Sequence, residues 1–254
     1  MNKPIIMIGA GEMGGVFARG ILKTGHPVYP VTRDMDMETA AKQMPEPEAV
    51  LVTVAEKDID DVLARIPEPW RDRLVLLQNE LLPRDWQKHE IRNVTVISVW
   101  FEKKPGQDFK VLISSPVFGP HAELVKSALN SLDIPCHIVD SCEALTFELV
   151  VKNLYILTTN ITGLAINCEV GELWGKHEKL ARKVANDVMD IQDWLVNKKM
   201  DRDALIKGMT KAVDGDPGHK CMGRSAPARL ARALQIADEA GLAVHKLREI
   251  ASQA

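Results

Sequence analysis

Six residues, Gly9-Ala10-Gly11-Glu12-Met13-Gly14, constrain this chain more than any others. They follow a short apolar run, Ile5 to Ile8, and lead into Val16 to Leu22, where Val16, Phe17, Gly20 and Ile21 recur at helical spacing. Strand, glycine turn and helix in that order open a βαβ unit. Gly9 allows the tight turn out of the strand, Gly11 lets a ligand approach the backbone with no Cβ in the way, and Gly14 lets the helix pack closely on the strand. The unpaired N–H groups and positive end of the helix then suit the pyrophosphate of a nicotinamide dinucleotide. The bland alternative is a glycine-rich βα turn that binds nothing.

The rest of the N-terminal half repeats the alternation. Thr24-Gly25-His26-Pro27 ends the first helix, and Val28 to Thr32 reads as the second strand. A short helix over 36–44 stops at Pro45 and Pro47, and Ala49 to Val54 has the nearly continuous apolar character of a parallel strand covered on both faces. Asp58 to Ile66 reads as a helix, Leu74 to Gln78, Val94 to Trp100 and Val111 to Ser114 as strands, Glu123 to Leu132 as a helix and Cys136 to Val139 as the last strand. Beyond it everything reads as helix, with Phe147 to Ile166 apolar on more than one face and His177 to Lys198 and Ala226 to Ala240 amphipathic. The switch falls at Asp140-Ser141-Cys142-Glu143, a capping-box-like opening with the acid at the cap. The sequence therefore predicts an α/β chain: a Rossmann doubly wound parallel sheet over 1–140, followed by an all-helical domain over 141–254.

Cofactor choice is read at the end of the second strand, where an acid would accept from a ribose 2′-OH and a cation would pair with a 2′-phosphate. Thr32 and Arg33 favour NADP, whereas Asp34 would serve NAD if the strand ran longer. A solvated loop is the third reading of Arg33. In the helical half, Lys152 is the lone cation of an apolar helix. A lysine buried there needs a partner, such as Glu148 one turn earlier, or a pKa lowered for chemistry. Asn153, Asn160 and Asn167 recur every seven residues, within about 20° of one stripe. They suit helix–helix hydrogen bonds or a substrate pocket.

Composition sets outer bounds. The 254 residues are 46% hydrophobic, and 32 basic against 35 acidic residues are spread without the one-sided clustering that tracks a phosphate backbone, so nucleic acid is not an expected partner. The start carries too short an apolar run for a signal peptide and no stretch approaches the ~18 apolar residues of a membrane span. A cytoplasmic location with no membrane partner is expected. Cys136, Cys142, Cys168 and Cys221 form neither a CxxC pair nor a zinc spacing, so no metal is expected and the thiols should be reduced and mostly buried.

Taken together, Ile8 to Gly15, Gly20 to His26 and the strand-rich then helical order resemble the 6-phosphogluconate dehydrogenase-like superfamily, and within it the ketopantoate reductases. Leu51 to Lys57 is similar to the family strand that bears a lysine near the cofactor, which implies that Val54 and Ala55 lie there. Ala55 stands where the family has lysine, with Lys57 two residues on. Leu77-Gln78-Asn79-Glu80 is similar to the family's Q/H-N-G turn, which implies a place for Asn79 by the nicotinamide, with Glu80 replacing the glycine. Glu148 to Gly175, with Lys152, Asn160 and Gly171-Glu172-Leu173, is similar to the family helix carrying a general-acid lysine and substrate contacts, and to its GEL turn. The resemblance implies NADPH-dependent reduction of a small 2-oxo acid in an interdomain cleft, with Lys152 as acid and Asn79 and Asn160 orienting the reactants. Asn153, Arg224 and Ser225 would be further substrate contacts, Arg224 and Ser225 being equally readable as a surface arginine and a helix cap.

The departures are specific. Ile156 stands where the family has a second helix asparagine, and His219 to Pro227 replaces its serine-rich loop with no clear equivalent of its glutamate. Imine reduction, as in the pyrroline-5-carboxylate reductases, and an NADP-binding regulatory protein without turnover are the alternatives. A homodimer through the helical domain is a family-level expectation.

Overall fold

The computed structural model describes Asn2–Gln253 and divides the chain into two compact units, Met1–Leu149 and Val150–Ala254, the division falling within one long helix. No helix among the described residues is long and apolar enough to cross a membrane.

The first unit is built on a seven-stranded sheet. Strand β1 (Ile5–Ile8) leads through the glycine turn into α1 (Glu12–Lys23), followed by β2 (Val28–Val31), α2 (Met37–Gln43) and β3 (Ala49–Val52). After α3 (Ile59–Ala64) come β4 (Leu74–Leu76), the single-turn α4 (Pro83–Gln87) and β5 (Thr95–Ile97). A two-stranded hairpin, β6 (Phe101–Glu102) and β7 (Lys110–Val111), precedes β8 (Ser115–Phe118), α5 (Ala122–Asn130) and β9 (Cys136–Ile138). The sheet order is β2-β1-β3-β4-β5-β8-β9. Side chains alternate between its faces. Ile5, Met7, Leu51 and Val75 join Phe17 and Ile21 of α1 and Val125 and Leu129 of α5 in one buried cluster, and Ile6, Val50 and Leu74, no less buried, face the other way. Pro30 lies in β2, an edge strand, where its missing N–H leaves no gap in the ladder.

The seven-stranded sheet is parallel as expected except between β5 and β8, which run antiparallel. One strand needs correction. The strand expected at Val111 to Ser114 is instead Ser115–Phe118. The apolar run belongs to the hairpin, where Leu112 N–H still bonds to Trp100 O (2.8 Å), and Pro116 hides the true sheet strand from its sequence pattern. Ser98 N–H donates to Pro116 O (2.9 Å), but the return bond has no donor, so the antiparallel ladder ends after Ile97.

Past β9 the described residues contain only helices and loops, with a single isolated bridge between Glu169 and Lys220. Helix α6 (Cys142–Ala165) is capped by Ser141, whose Oγ accepts from Ala144 N–H (3.1 Å), rather than by Asp140 as expected; Ser141 is the residue three before the orphan amide. There follow α7 (Val170–Lys176), α8 (Glu178–Leu195), α9 (Arg202–Gly215), α10 (Ala226–Ala240) and α11 (His245–Ala251), in keeping with the helical reading, which assigned no separate range to α7, α9 or α11; the GEL sequence lies inside α7. The buried stripe Ala181, Val184, Ala185, Val188 and Ile191 makes α8 a central packing element of this unit. Asp187 on it accepts from Lys246 and Leu247 N–H (2.7 and 3.1 Å), capping α11 from a distant helix.

Candidate functional site

In the sheet order, the chain passes from β1 outward to β2 and then back across β1 to β3, so the topological switch lies between β1 and β3. Open α/β sheets bind ligands at the carboxyl ends of strands beside such a switch. Gly9, which ends β1, has φ +95°, and a Cβ there would lie 3.2 Å from the Thr53 and Val54 backbone at the end of β3. A Cβ on Gly14 would meet Gly9 O at 2.8 Å and Thr53 Oγ1 at 2.9 Å. A Cβ on Gly11 would meet nothing within 4 Å. The turn is therefore closed where α1 packs on the sheet and open where a ligand would approach. Ala10, Gly11 and Glu12 are exposed, while Met13 packs against the core cluster.

Residues outside the motif fix this shape. Thr53 Oγ1 donates to Gly9 O (2.6 Å), tying the turn to β3. Gln78, nearly fully buried, donates from Nε2 to Val52 O (2.7 Å) and Val54 O (3.2 Å), while its Oε1 accepts from Leu77 N–H (3.1 Å). The carboxyl ends of β3 and β4 are thereby locked together. Next to it Asn79 donates from Nδ2 to Glu56 Oε1 (3.0 Å). Glu80 has φ +61°, so the position where the similar family carries glycine keeps the left-handed conformation with a side chain present. Val54 is half-buried, and Ala55 is exposed at the start of a short 3-10 turn, Glu56–Asp58. Thr32, Arg33 and Asp34 are exposed just beyond β2, and Arg33 makes no ion pair among the described residues.

A cavity of about 460 Å³ opens beside the turn, lined by Gly11, Glu12, Arg19 and Lys103 among others. Lys103, reaching from the β6–β7 hairpin, pairs with Glu12 at 2.9 Å and is largely buried. Arg19 lies over the Phe109 ring (5.4 Å) and 3.8 Å from Asp108. Phe101 holds the hairpin against Phe17 of α1, with ring centroids 6.1 Å apart. The hairpin thus carries a cation to the glycine turn, a contact that no local sequence spacing signals. Among the described residues no cluster of His, Cys, Asp or Glu could hold a metal ion.

The second unit gathers a different set of polar groups on α6. Lys152 is half-buried. Asn153 is nearly fully buried and donates to Gln192 Oε1 of α8 (3.1 Å), the helix–helix bond that was one reading of the stripe. Asn160 accepts at Oδ1 from Arg229 Nη1 of α10 (3.1 Å), and Arg229 is itself buried. Asn167 lies past the helix end and is exposed, so the stripe does not extend to it. The loop Cys221 to Gly223 presses on this face, since a Cβ on Gly163 would come within 2.9 Å of Met222 N. Arg224 is exposed, and Ser225 is the N-cap residue of α10 with no side-chain cap bond. Sequence reasoning missed Thr53, Lys103, Gln192 and Arg229. Thr53, a hydroxyl in an otherwise apolar strand, was the one visible in local pattern. Of the thiols, Cys136 and Cys221 are buried, but Cys168 is only half-buried and Cys142 is exposed.

No protein-family model matches the sequence, and no curated protein matches it significantly. Solved structures do. The 2-dehydropantoate 2-reductase of Methylococcus capsulatus matches at 14% identity and TM-score 0.67, covering 98% of this chain and 95% of its own. D-mandelate dehydrogenase in complex with NADH matches at 12% identity and TM-score 0.68, over 98% and 96%. The dimeric ketopantoate reductase of Staphylococcus aureus matches at 14% identity and TM-score 0.63, over 98% of both chains. At such low identity the likeness establishes architecture: this chain has the fold shared by ketopantoate reductases and D-mandelate dehydrogenase, a Rossmann-type sheet followed by helices.

Proposed function

We propose that this protein is an NADP-dependent reductase of small 2-oxo acids or related carbonyl compounds. The observation that carries the reading is the division of labour among the three glycines at the β1/β3 switch: Gly9 left-handed, Gly14 closed and Gly11 open. The fold shared with 2-dehydropantoate 2-reductase and with NADH-bound D-mandelate dehydrogenase supports the same class of chemistry. The site fits a dinucleotide because the exposed stretch from Ala10 to Glu12 leaves the backbone of the turn accessible beside the N-terminus of α1, and Lys103 neutralises Glu12, which would otherwise repel a pyrophosphate. Arg33, exposed and uncommitted beyond β2, would pair with a 2′-phosphate, with Thr32 beside it; this supports NADP over NAD. Val54, Ala55 and Asn79 would line the rest of the cofactor site along the ends of β3 and β4.

A reduced nicotinamide supplies hydride to the carbonyl carbon. The alkoxide then developing on oxygen needs a cation and a proton, and Lys152 Nζ would provide both, recovering its proton from solvent after the 2-hydroxy acid forms. Asn160 would orient the substrate, with Arg224 and Ser225 as further contacts, whereas the expected substrate contact at Asn153 gives way to its buried bond to Gln192. A homodimer and a small-molecule partner belong to the same reading, the former in line with the dimeric relative.

The test is NADPH consumption over a panel of 2-oxo acids and cyclic imines, combined with dinucleotide titration. Binding of NADPH above NADH, turnover of a 2-oxo acid, and loss of that turnover in Lys152→Ala with cofactor affinity retained are expected. Turnover surviving in Lys152→Ala removes the proposed acid. Binding without turnover of any panel member would mark a regulatory protein, and turnover of imines alone the pyrroline-5-carboxylate reductase chemistry.

A further inference from the structure

The bridge between Glu169 and Lys220 places two cysteines opposite each other. Val170 N–H donates to His219 O (2.8 Å) and Cys221 N–H to Cys168 O (3.1 Å), so the antiparallel register sets Cys168 directly across from Cys221. The two sulfurs are 3.8 Å apart. Facing residues at the hydrogen-bonded positions of an antiparallel pair have Cα atoms about 5.5 Å apart, inside the range a disulfide spans without backbone movement. From this placement we infer that Cys168 and Cys221 are a modification site that a hydroperoxide closes to an intramolecular disulfide.

The two thiols are unequal. Cys168 is half-buried at the end of the segment following α6, whereas Cys221 is buried, and burial together with its neighbour pushes the Cys221 thiol up to about 12. Cys168 is therefore the sulfur that meets the oxidant. The Cys168 sulfur attacks the peroxide O–O bond, which breaks to give a sulfenic acid, and the proton lost from the Cys168 thiol goes to the departing oxygen, which leaves as water (an alcohol from an organic hydroperoxide). Cys221 sulfur then attacks the sulfenic sulfur, an S–S bond forms, the S–O bond breaks, and the hydroxide leaves as water with the proton from Cys221. Two electrons pass from the thiol pair to the peroxide, and a dithiol reductant returns them. Cys221 immediately precedes Met222 and Gly223, the loop that abuts Asn160 and Gly163 of α6, so the cross-link fixes that loop to the segment following the helix. The inference does not depend on the reaction proposed above.

Exposed Cys142 would join separate molecules, so the experiment uses the full chain carrying Cys142→Ser. After treatment with equimolar hydrogen peroxide, trypsin should release Asn153–Lys176 joined to Cys221–Arg224, two hydrogen atoms lighter than the sum of the two peptides. The joined species should be lost on treatment with dithiothreitol. Cys168→Ser should give no joined peptide and leave Cys221 open to alkylation after denaturation. Two results overturn the inference: Cys168 gaining oxygen atoms with no joined peptide, or both thiols alkylating fully in denaturant after peroxide. Sulfoxide at exposed Met222 is scored separately on the same peptide and bears on neither arm.

Discussion

The two units of this chain use polar residues in opposite ways. In the sheet unit, groups from four separate segments arrive at neighbouring places because each terminates a strand whose register is fixed: Gly9 after β1, Arg33 after β2, Thr53 after β3, Gln78 after β4. In the helical unit, the polar residues of α6 share a helix phase, yet neighbours on one stripe have different occupations. Asn153 donates to α8, Asn160 accepts from α10, and Asn167 is outside the helix. A strand end is a place; a helix stripe is only a direction, and the elements packed against it decide what its side chains do.

The strongest test of the sheet unit's tight geometry is Gly20→Ala. A Cβ at Gly20 would stand 2.3 Å from the carbonyl oxygen of Ala128, backbone on backbone, so α1 and α5 must part to admit it. Alanine's helix preference returns about 1 kcal/mol, and overpacking of this kind costs about 3 kcal/mol or more. A net loss of about 2 kcal/mol or more is expected in urea unfolding. A neutral result would mean that the α1–α5 contact yields freely and that the frame of the glycine turn is softer than its distances imply.

Next in size is the counterpart in the helical unit. Asn153→Ala would leave Gln192 Oε1 buried without this donor, at a cost of about 1–2 kcal/mol. Dinucleotide affinity should be unchanged, because the effect is confined to the packing of α6 on α8. Stability held constant with turnover lost would move Asn153 from packing to substrate contact, and the contrast between the two units would weaken.

These two positions show what the sequence made legible. The glycine turn was readable because its function is local: three backbone demands fall within six residues, and the structure meets all three. The alternation of strands and helices, and the change to helices alone, were readable from periodicity. The partners of that turn were not. Lys103 reaches Glu12 only because the hairpin at 101–111 folds onto α1, and the hairpin was itself misread, since the apolar Val111 to Ser114 outweighed Pro116 in the true strand. Arg229 had no signal at all, because on sequence it is one arginine of an amphipathic helix, and its burial follows from where α10 meets α6.

Gly11→Ala separates binding from folding. A Cβ there meets nothing within 4 Å, and the residue's φ of −81° suits alanine, so stability should stay within about 0.5 kcal/mol of the parent. The same Cβ would stand where a pyrophosphate approaches, and NADPH affinity should fall at least tenfold, about 1.4 kcal/mol. Unchanged affinity would place the phosphates elsewhere and leave the open turn without a ligand.

The smallest effect compares the units by their response to acid. Burial lowers the His121 pKa below its ordinary 6.5, with the Arg73 cation adding to the shift and Glu48 opposing it. His121 precedes α5, and its backbone N–H donates to Thr95 Oγ1 (2.8 Å). Above pH 6.5 neither folded nor unfolded chain protonates this ring appreciably, so its contribution to stability is complete. As pH falls from 6.5 toward the lower folded value, the unfolded chain binds a proton that the native ring resists, and stability is lost across that window. His121→Gln removes the proton uptake while keeping a polar side chain, so stability measured between pH 7 and 5 should depend less steeply on pH than in the parent. Amide exchange locates the effect: α5 and β8 should lose protection on acidification in the parent and keep more of it in the variant, with α8 unaffected by the substitution. An identical pH slope in both proteins would assign the acid response to other groups, and equal changes in α5 and α8 would show that the two units unfold as one.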